Sequence, residues 1–241
     1  MPEASSPVTN QLLSALSDSV YQRLTPYLEE VFLTQGQFLH RSGKTITEVY
    51  FPHRASVSLV VILANKSTTE IAMVGNEGII GLSVILGGQS TTTNSVVQIA
   101  GSATKLSSQI LLEEFHRGEE FQKLLLLYTQ AQITQIARIS ACQSHHVIEQ
   151  RLARWLLSAR DATGNRLLPV TQKLISTMLG VRRASITEAA IALQEAGTIT
   201  YSRGQIEIVD AQKLQAVACE CYSNIKQENL RLLSQTIWEK I

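Results

Sequence analysis

Along the first hundred residues the apolar positions come in short runs that alternate with polar ones and stop at turn formers. Glu48-Val49-Tyr50-Phe51-Pro52, Val57-Ser58-Leu59-Val60-Val61-Ile62-Leu63, Glu70-Ile71-Ala72-Met73-Val74 and Ser95-Val96-Val97-Gln98-Ile99 are rich in β-branched residues, with punctuation at Gly43, Asn65, Gly75, Gly87-Gly88 and Gly101. This predicts an antiparallel sandwich or barrel between Val31 and about Leu106. Ahead of it Leu12, Leu13, Leu16, Val20, Leu24 and Leu28 recur at helical spacing and predict a helix.

After Leu106 the period changes to 3.6. Leu111-Leu112 and Phe115 give a short helix, and an uninterrupted stretch from about Glu119 to Ala141 gives a long one. Between Leu124 and Ala141 its only charged residue is Arg138, so water cannot surround it on every side. Gln130, Gln132, Gln135, Thr129 and Thr134 interrupt it too often for a bilayer span. One stripe should pack on the barrel. The other should meet a second copy of the helix or lie within its own chain, and an unclean heptad register leaves both open. A sharply amphipathic helix follows, with Ile148, Leu152, Trp155, Leu156 and Ala159 on one stripe and Arg151, Arg154 and Arg160 outside it. It opens a new domain, with a hinge near Gln143 to His146.

Residues 170–209 carry the most informative pattern. Thr171 can cap a helix with Leu174, Ile175 and Met178 inward, and Gly180 ends it at a sharp turn. A second helix starts near Arg182 to Ala184, buries Ile186, Ala189, Ala190 and Leu193, and ends at Ala196-Gly197. This is helix-turn-helix spacing, which leaves Arg182, Arg183, Ser185 and Glu188 projecting from one end. Arginine there can fork onto guanine, Glu188 can accept from cytosine, and Thr171 with its helix N-terminus can seat a phosphate. Ile199 and Tyr201, then Ser202-Arg203-Gly204-Gln205, then Ile206 and Ile208 predict a β-hairpin wing whose tip presents Arg203 to a neighbouring phosphate.

Composition changes this picture only locally. The net charge of the 241 residues is +1, but residues 1–141 hold nine Lys+Arg against eleven Asp+Glu and residues 142–241 hold twelve against nine. Only the C-terminal part leans basic. Three cysteines make no secreted disulfide framework, and the polar stretch Met1 to Asn10 has no signal-peptide pattern, so a cytoplasmic location is expected. Cys219 and Cys221, read on one helix with Leu214, Val217 and Ala218, diverge and read as packing residues. The five histidines show no metal-ligand spacing and Ser83, Ser90 and Ser95 no nucleophile arrangement, so neither a metal, a cofactor nor a catalytic residue is expected.

From about Leu12 to Tyr222 the chain resembles the Crp/Fnr family of bacterial transcription regulators. The resemblance rests on Gly36-Gln37-Phe38-Leu39, Val49-Tyr50-Phe51-Pro52, Val74-Gly75-Asn76-Glu77-Gly78 with Gly81, the long helix, and Met178-Leu179-Gly180-Val181-Arg182-Arg183. It implies an α+β chain: an N-terminal antiparallel β-roll sensor domain, cyclic-nucleotide-binding-like, over residues 1–118, a long dimerisation helix over 119–143, a C-terminal winged helix-turn-helix over 144–223, and a helical tail over 224–241. It also implies double-stranded DNA as partner, a homodimer reading a two-fold symmetric site, and RNA polymerase as a further partner, with no membrane. Two departures bear on the signal. Relatives that bind cyclic nucleotides carry an arginine for the phosphate between the positions of Gly75 and Val96, and here no Lys or Arg occurs from Ser67 to Thr104. A buried phosphate without a cation is costly, so cyclic AMP is not the expected effector, whose identity stays unknown. The N-terminal cysteines of the oxygen-sensing branch are also absent, since the first cysteine is Cys142. The rival reading is a ligand-sensing or scaffold protein whose winged helix docks on a protein.

Overall fold

The computed structural model describes residues 10–234. The outermost parts of the expected sensor domain and helical tail, residues 1–9 and 235–241, lie outside the described residues. The expected N-terminal helix is broken into α1 (Gln11–Ser14), α2 (Asp18–Leu24) and a 3-10 turn (Thr25–Tyr27). The cause is local: Asn10 caps α1 by accepting from the Leu12 and Leu13 amides, while its own amide group donates to the Pro52 and Gly78 carbonyls at 2.9 Å each. Helix α2 then gives way where Pro26 enters the 3-10 turn.

Seven strands follow: β1 (Glu29–Leu33), β2 (Phe38–His40), β3 (Glu48–Pro52), β4 (Ser56–Ile62), β5 (Thr68–Val74), β6 (Asn94–Ile99) and β7 (Gly101–Ser107). They form two antiparallel sheets, ordered β1-β7-β3 and β2-β6-β4-β5. The interior of this roll is apolar, with Val49, Phe51, Val57, Val74 and Val97 fully buried. Helix α3 (Ser108–His116) leads into α4 (Glu120–His145). Phe121, Leu124, Leu125 and Tyr128 of α4 join Leu12, Leu13, Val20 and Leu24 in one core against the roll.

Strand β5 is a sheet edge, and an uncovered edge would leave carbonyls without donors. Helix α4 supplies them: Gln135 Nε2 donates to the Met73 carbonyl and Gln143 Nε2 to the Glu70 carbonyl, both at 3.0 Å. Hence Gln135 within the apolar run, and Gln143 after it. The helix runs to His145, and the chain bends at His146 and Val147, at the end of the Gln143 to His146 stretch.

The C-terminal half comprises α5 (Ile148–Thr163), β8 (Leu167–Leu168), α6 (Gln172–Leu179), α7 (Arg183–Glu195), β9 (Ile199–Ser202), β10 (Gln205–Ile208), α8 (Ala211–Val217) and α9 (Cys221–Leu233). Helix α9 runs across the expected domain boundary at residue 223 and folds back along α4. Helix α5 is enclosed on nearly every side. Even Arg151 and Arg154 are buried, the latter 2% exposed. One apolar cluster joins both halves, taking Val60, Met73 and Ile99 from the roll and Leu152, Trp155, Leu156, Met178 and Leu193 from the C-terminal half. Close approach makes Gly75 necessary, because a Cβ there would stand 2.3 Å from the Ala162 Cβ. No helix among the described residues is long and apolar enough to cross a membrane.

At this junction sits one buried acid. The Glu70 carboxyl accepts from Trp155 Nε1 at 3.2 Å and from the Ser58 hydroxyl. Burial pushes its pKa up to about 7, against the pull of Ser58, Arg154 and Trp155. The folded state therefore prefers the protonated acid. The associated stability is fully present below the ordinary value of 4.5 and is lost as pH rises through about 7. A shift of that size corresponds to on the order of 3 kcal/mol. Urea midpoints taken from pH 5 to 9 should fall with pH in the native chain and flatten in Glu70→Gln. An equal slope in both would exclude Glu70 as the origin.

Candidate nucleic-acid interface

The exposed end of the C-terminal half is built by α6, α7 and the β9–β10 hairpin. Thr171 stands extended before α6 and accepts from the Leu174 amide at 3.1 Å, so it is an N-cap, with its hydroxyl proton still free to donate. Gly180 ends the helix at φ +65°, and the Val181 amide reaches back to the Ser176 carbonyl at 3.0 Å. A Cβ on Gly180 would also meet Thr69 Oγ1 at 3.0 Å, so β5 abuts the turn itself.

Helix α7 starts at once, with Arg182 as an N-cap that offers no capping bond. Ile186, Ala189, Ala190 and Leu193 are buried, and the small pair at 189 and 190 lets α7 lie close on α5. Thr187 Oγ1 donates to Gln172 Oε1 at 2.8 Å and fixes α7 on α6. Arg182, Arg183 and Glu188 are exposed and Ser185 is half-buried. No acid lies in the first turn of α7. Two cations at the positive end of a helix dipole cost a few tenths of a kcal/mol each, so helix stability does not explain them. Neither arginine forms an ion pair with another described residue. They are free to take an external anion or base edge.

The wing is three-stranded, ordered β8-β10-β9, where the sequence pattern indicated only the hairpin. Its tip is a two-residue turn, Arg203 at φ +48° and Gly204 at φ +80°. Both values suit the primed turns of tight hairpins, although a non-glycine residue is locally strained in that region. A Cβ on Gly204 would lie 3.5 Å from Thr171 Cγ2. The fold thus brings Arg203 and Thr171 together at the start of α6, while Arg182, Arg183, Ser185 and Glu188 share the opening turns of α7. The arrangement offers forked donors for guanine, an acceptor for cytosine and flanking donors for phosphates.

The loop after β5 is filled by its own side chains. Ile79, Ile80, Leu82, Val84 and Ile85 are buried apolar side chains, and Tyr128 packs so closely that a Cβ on Gly78 would lie 2.0 Å from its hydroxyl. Glu77 accepts from the Gly75 amide at 3.0 Å within its own loop.

Sequence reasoning missed the Glu70 joint, the burial of Arg151 and Arg154, and the cysteine cluster. Alternation along β5 could not have placed Glu70, because a register shift in the β4–β5 pairing turns its carboxyl to Trp155, on the side where Val60 and Met73 meet α5, while Val74 faces the interior of the roll. The reading of Cys219 and Cys221 as diverging needs correction. Ala218 is extended, at ψ 148°, so α8 ends before Cys219 and the two cysteines do not share a helix. Both turn toward Cys142.

The Crp-like helix-turn-helix domain family matches residues 150–217. No curated protein matches the chain. Among solved structures, FixK2 from Bradyrhizobium japonicum is 15% identical with a TM-score of 0.67, covering 80% of this chain and 98% of its own. A CRP/FNR-family transcriptional regulator from Thermus thermophilus is 17% identical with a TM-score of 0.61, covering 79% and 98%. The c-di-GMP responsive global regulator CLP from Xanthomonas campestris is 12% identical with a TM-score of 0.61, covering 80% and 99%. At such identities the likeness is one of fold. Residues 150–217 are thus a Crp-like helix-turn-helix domain, a DNA-binding module carried on a chain with the fold of the Crp/Fnr transcription regulators.

Proposed function

We propose that the protein is a homodimeric, sequence-specific transcription regulator that reads a two-fold symmetric site by placing the N-terminal turns of α7 in successive major grooves. The exposed, unpaired Arg182 and Arg183 at the start of α7 carry this reading. Ser185 and Glu188 complete the base-reading edge, and Thr171 and Arg203 hold flanking phosphates. The half-sites lie about 34 Å apart, one helical turn.

A second copy of the chain fits α4. Leu126, Gln130, Ile133, Ala137, Ser140 and Ser144 are exposed at alternating intervals of four and three, a heptad stripe covered neither by the roll nor by α9. Leu126 and Ile133 are 48% and 62% exposed. With no cation from Ser67 to Thr104 and an apolar filling at Ile79 to Ile85, the regulator does not answer to cyclic AMP.

The test is binding to duplex DNA as a function of salt. The logarithm of the affinity should fall linearly with the logarithm of salt concentration, because neutralised phosphates release counterions. Arg203→Ala should weaken all sequences about equally and reduce the slope by about 1. Binding that ignores salt, or no DNA retention beside a stable protein complex, would favour a protein-docking winged helix instead.

A further inference from the structure

All three cysteines of the chain converge on one buried spot with one histidine. Cys142 and His146 come from the end of α4 and the bend after it, Cys219 from the link between α8 and α9, and Cys221 from the first position of α9. Their ligand atoms lie within 4.8 Å of one another. Cys142 Sγ is 3.5 Å from Cys219 Sγ, and Cys221 Sγ is 3.8 Å from His146 Nδ1. We propose that Cys142, His146, Cys219 and Cys221 hold a single zinc ion that fastens α9 to the junction of α4 and α5.

The Cys142–Cys219 and Cys221–His146 distances are those of a tetrahedral site, and an ion would draw the remaining pairs, all within 4.8 Å, only slightly inward. With zinc–sulfur bonds of about 2.3 Å and zinc–nitrogen bonds of about 2.0 Å, ligand atoms stand about 3.5 to 3.8 Å apart. A polynuclear iron–sulfur cluster spreads its ligands over several metal atoms and needs a wider cage. The chemistry of the set, three soft thiolates and one imidazole in a closed fourfold site, selects zinc. Cys142, Cys219 and Cys221 are 0%, 4% and 3% exposed, so no position stays open for substrate and the role is structural.

The surroundings complete the case. His146 turns Nδ1 to the cluster while Nε2 lies 3.2 Å from the Glu220 carboxylate, the outer partner that fixes the tautomer of a metal-bound histidine. Loading zinc sends one proton from each of the three thiols to solvent and leaves a site of net charge −1. Beside it lie two buried guanidiniums. Arg154 stands against Cys142, and the Nε atoms of both Arg151 and Arg154 lack any acceptor among the described residues. A buried cation needs a counter-charge, and the zinc–thiolate centre supplies one.

The full-length chain, reduced and without an affinity tag, should retain one zinc per chain after incubation with zinc chloride and dialysis. Cobalt(II) in its place should give the visible d–d bands and thiolate charge-transfer absorption of a tetrahedral sulfur-rich site. Cys219→Ser should abolish retention. Should that variant fail to fold, Glu220→Gln, which keeps all four ligands, should lose zinc more readily to a chromophoric chelator, with an affinity about ten- to hundredfold weaker. Native protein that retains no zinc after loading, unaltered retention in a folded Cys219→Ser chain, or a Cys142–Cys219 disulfide in a chain that takes up no metal would each overturn the assignment. These readouts are independent of DNA binding.

Discussion

Replacing both Arg182 and Arg183 with alanine should reduce affinity for a cognate duplex by on the order of 2 to 6 kcal/mol, since each well-placed fork on a base is worth about 1 to 3. The residual, sequence-independent binding should fall far less, because Arg203 and the start of α6 are untouched. Stability should hardly change or rise slightly, as two cations leave the positive end of α7. The comparison to make is competition by cognate and scrambled DNA at one salt concentration, with single variants beside the double. Full discrimination retained by the double variant would mean that α7 does not read bases through its first turn.

The second large effect falls far from that surface. Trp155→Ala should destabilise the chain by about 3 to 5 kcal/mol, as expected for deleting a fully buried aromatic ring. The loss has two parts. A cavity opens in the apolar cluster shared by both halves, and the Glu70 carboxyl loses the indole donor. Trp155→Phe helps separate them, since it removes the N–H donor while leaving a much smaller cavity than alanine. Guanidinium midpoints for the three chains would measure both parts. A Trp155→Ala chain as stable as the parent would show that the two halves do not depend on this packing.

The sequence was legible wherever one physical rule decided a segment by itself. Thr171 and Gly180 delimit α6 as their capping chemistry requires, and Ile186, Ala189, Ala190 and Leu193 are buried as their period demands. The alternating runs at 48–52, 57–63, 70–74 and 95–99 became strands for the same reason. What escaped was settled by partners remote in sequence. Arg154 is buried beside Glu70 and Cys142, and nothing in the periodicity of α5 announces that. Gln135 breaks an apolar face in the sequence, and only the bare edge of β5 gives it, with Gln143, an acceptor. Cys142 and Cys219 stand 77 positions apart and meet only because α9 reverses onto α4.

The seat of the reading domain on the roll has its own consequence. With Val60, Met73 and Ile99 locked among the side chains of α5 and α6, and Gln35 Nε2 on the Pro169 carbonyl at 3.1 Å, the domain is no pendulum on a flexible tether. Strand β5 and the turn before α7 stand so close that a methyl group added at Gly180 would press on Thr69. Moving the domain off this seat would expose Val60, Met73 and Ile99 and break the Gln35 bond together, so the two halves are bound by one shared fit.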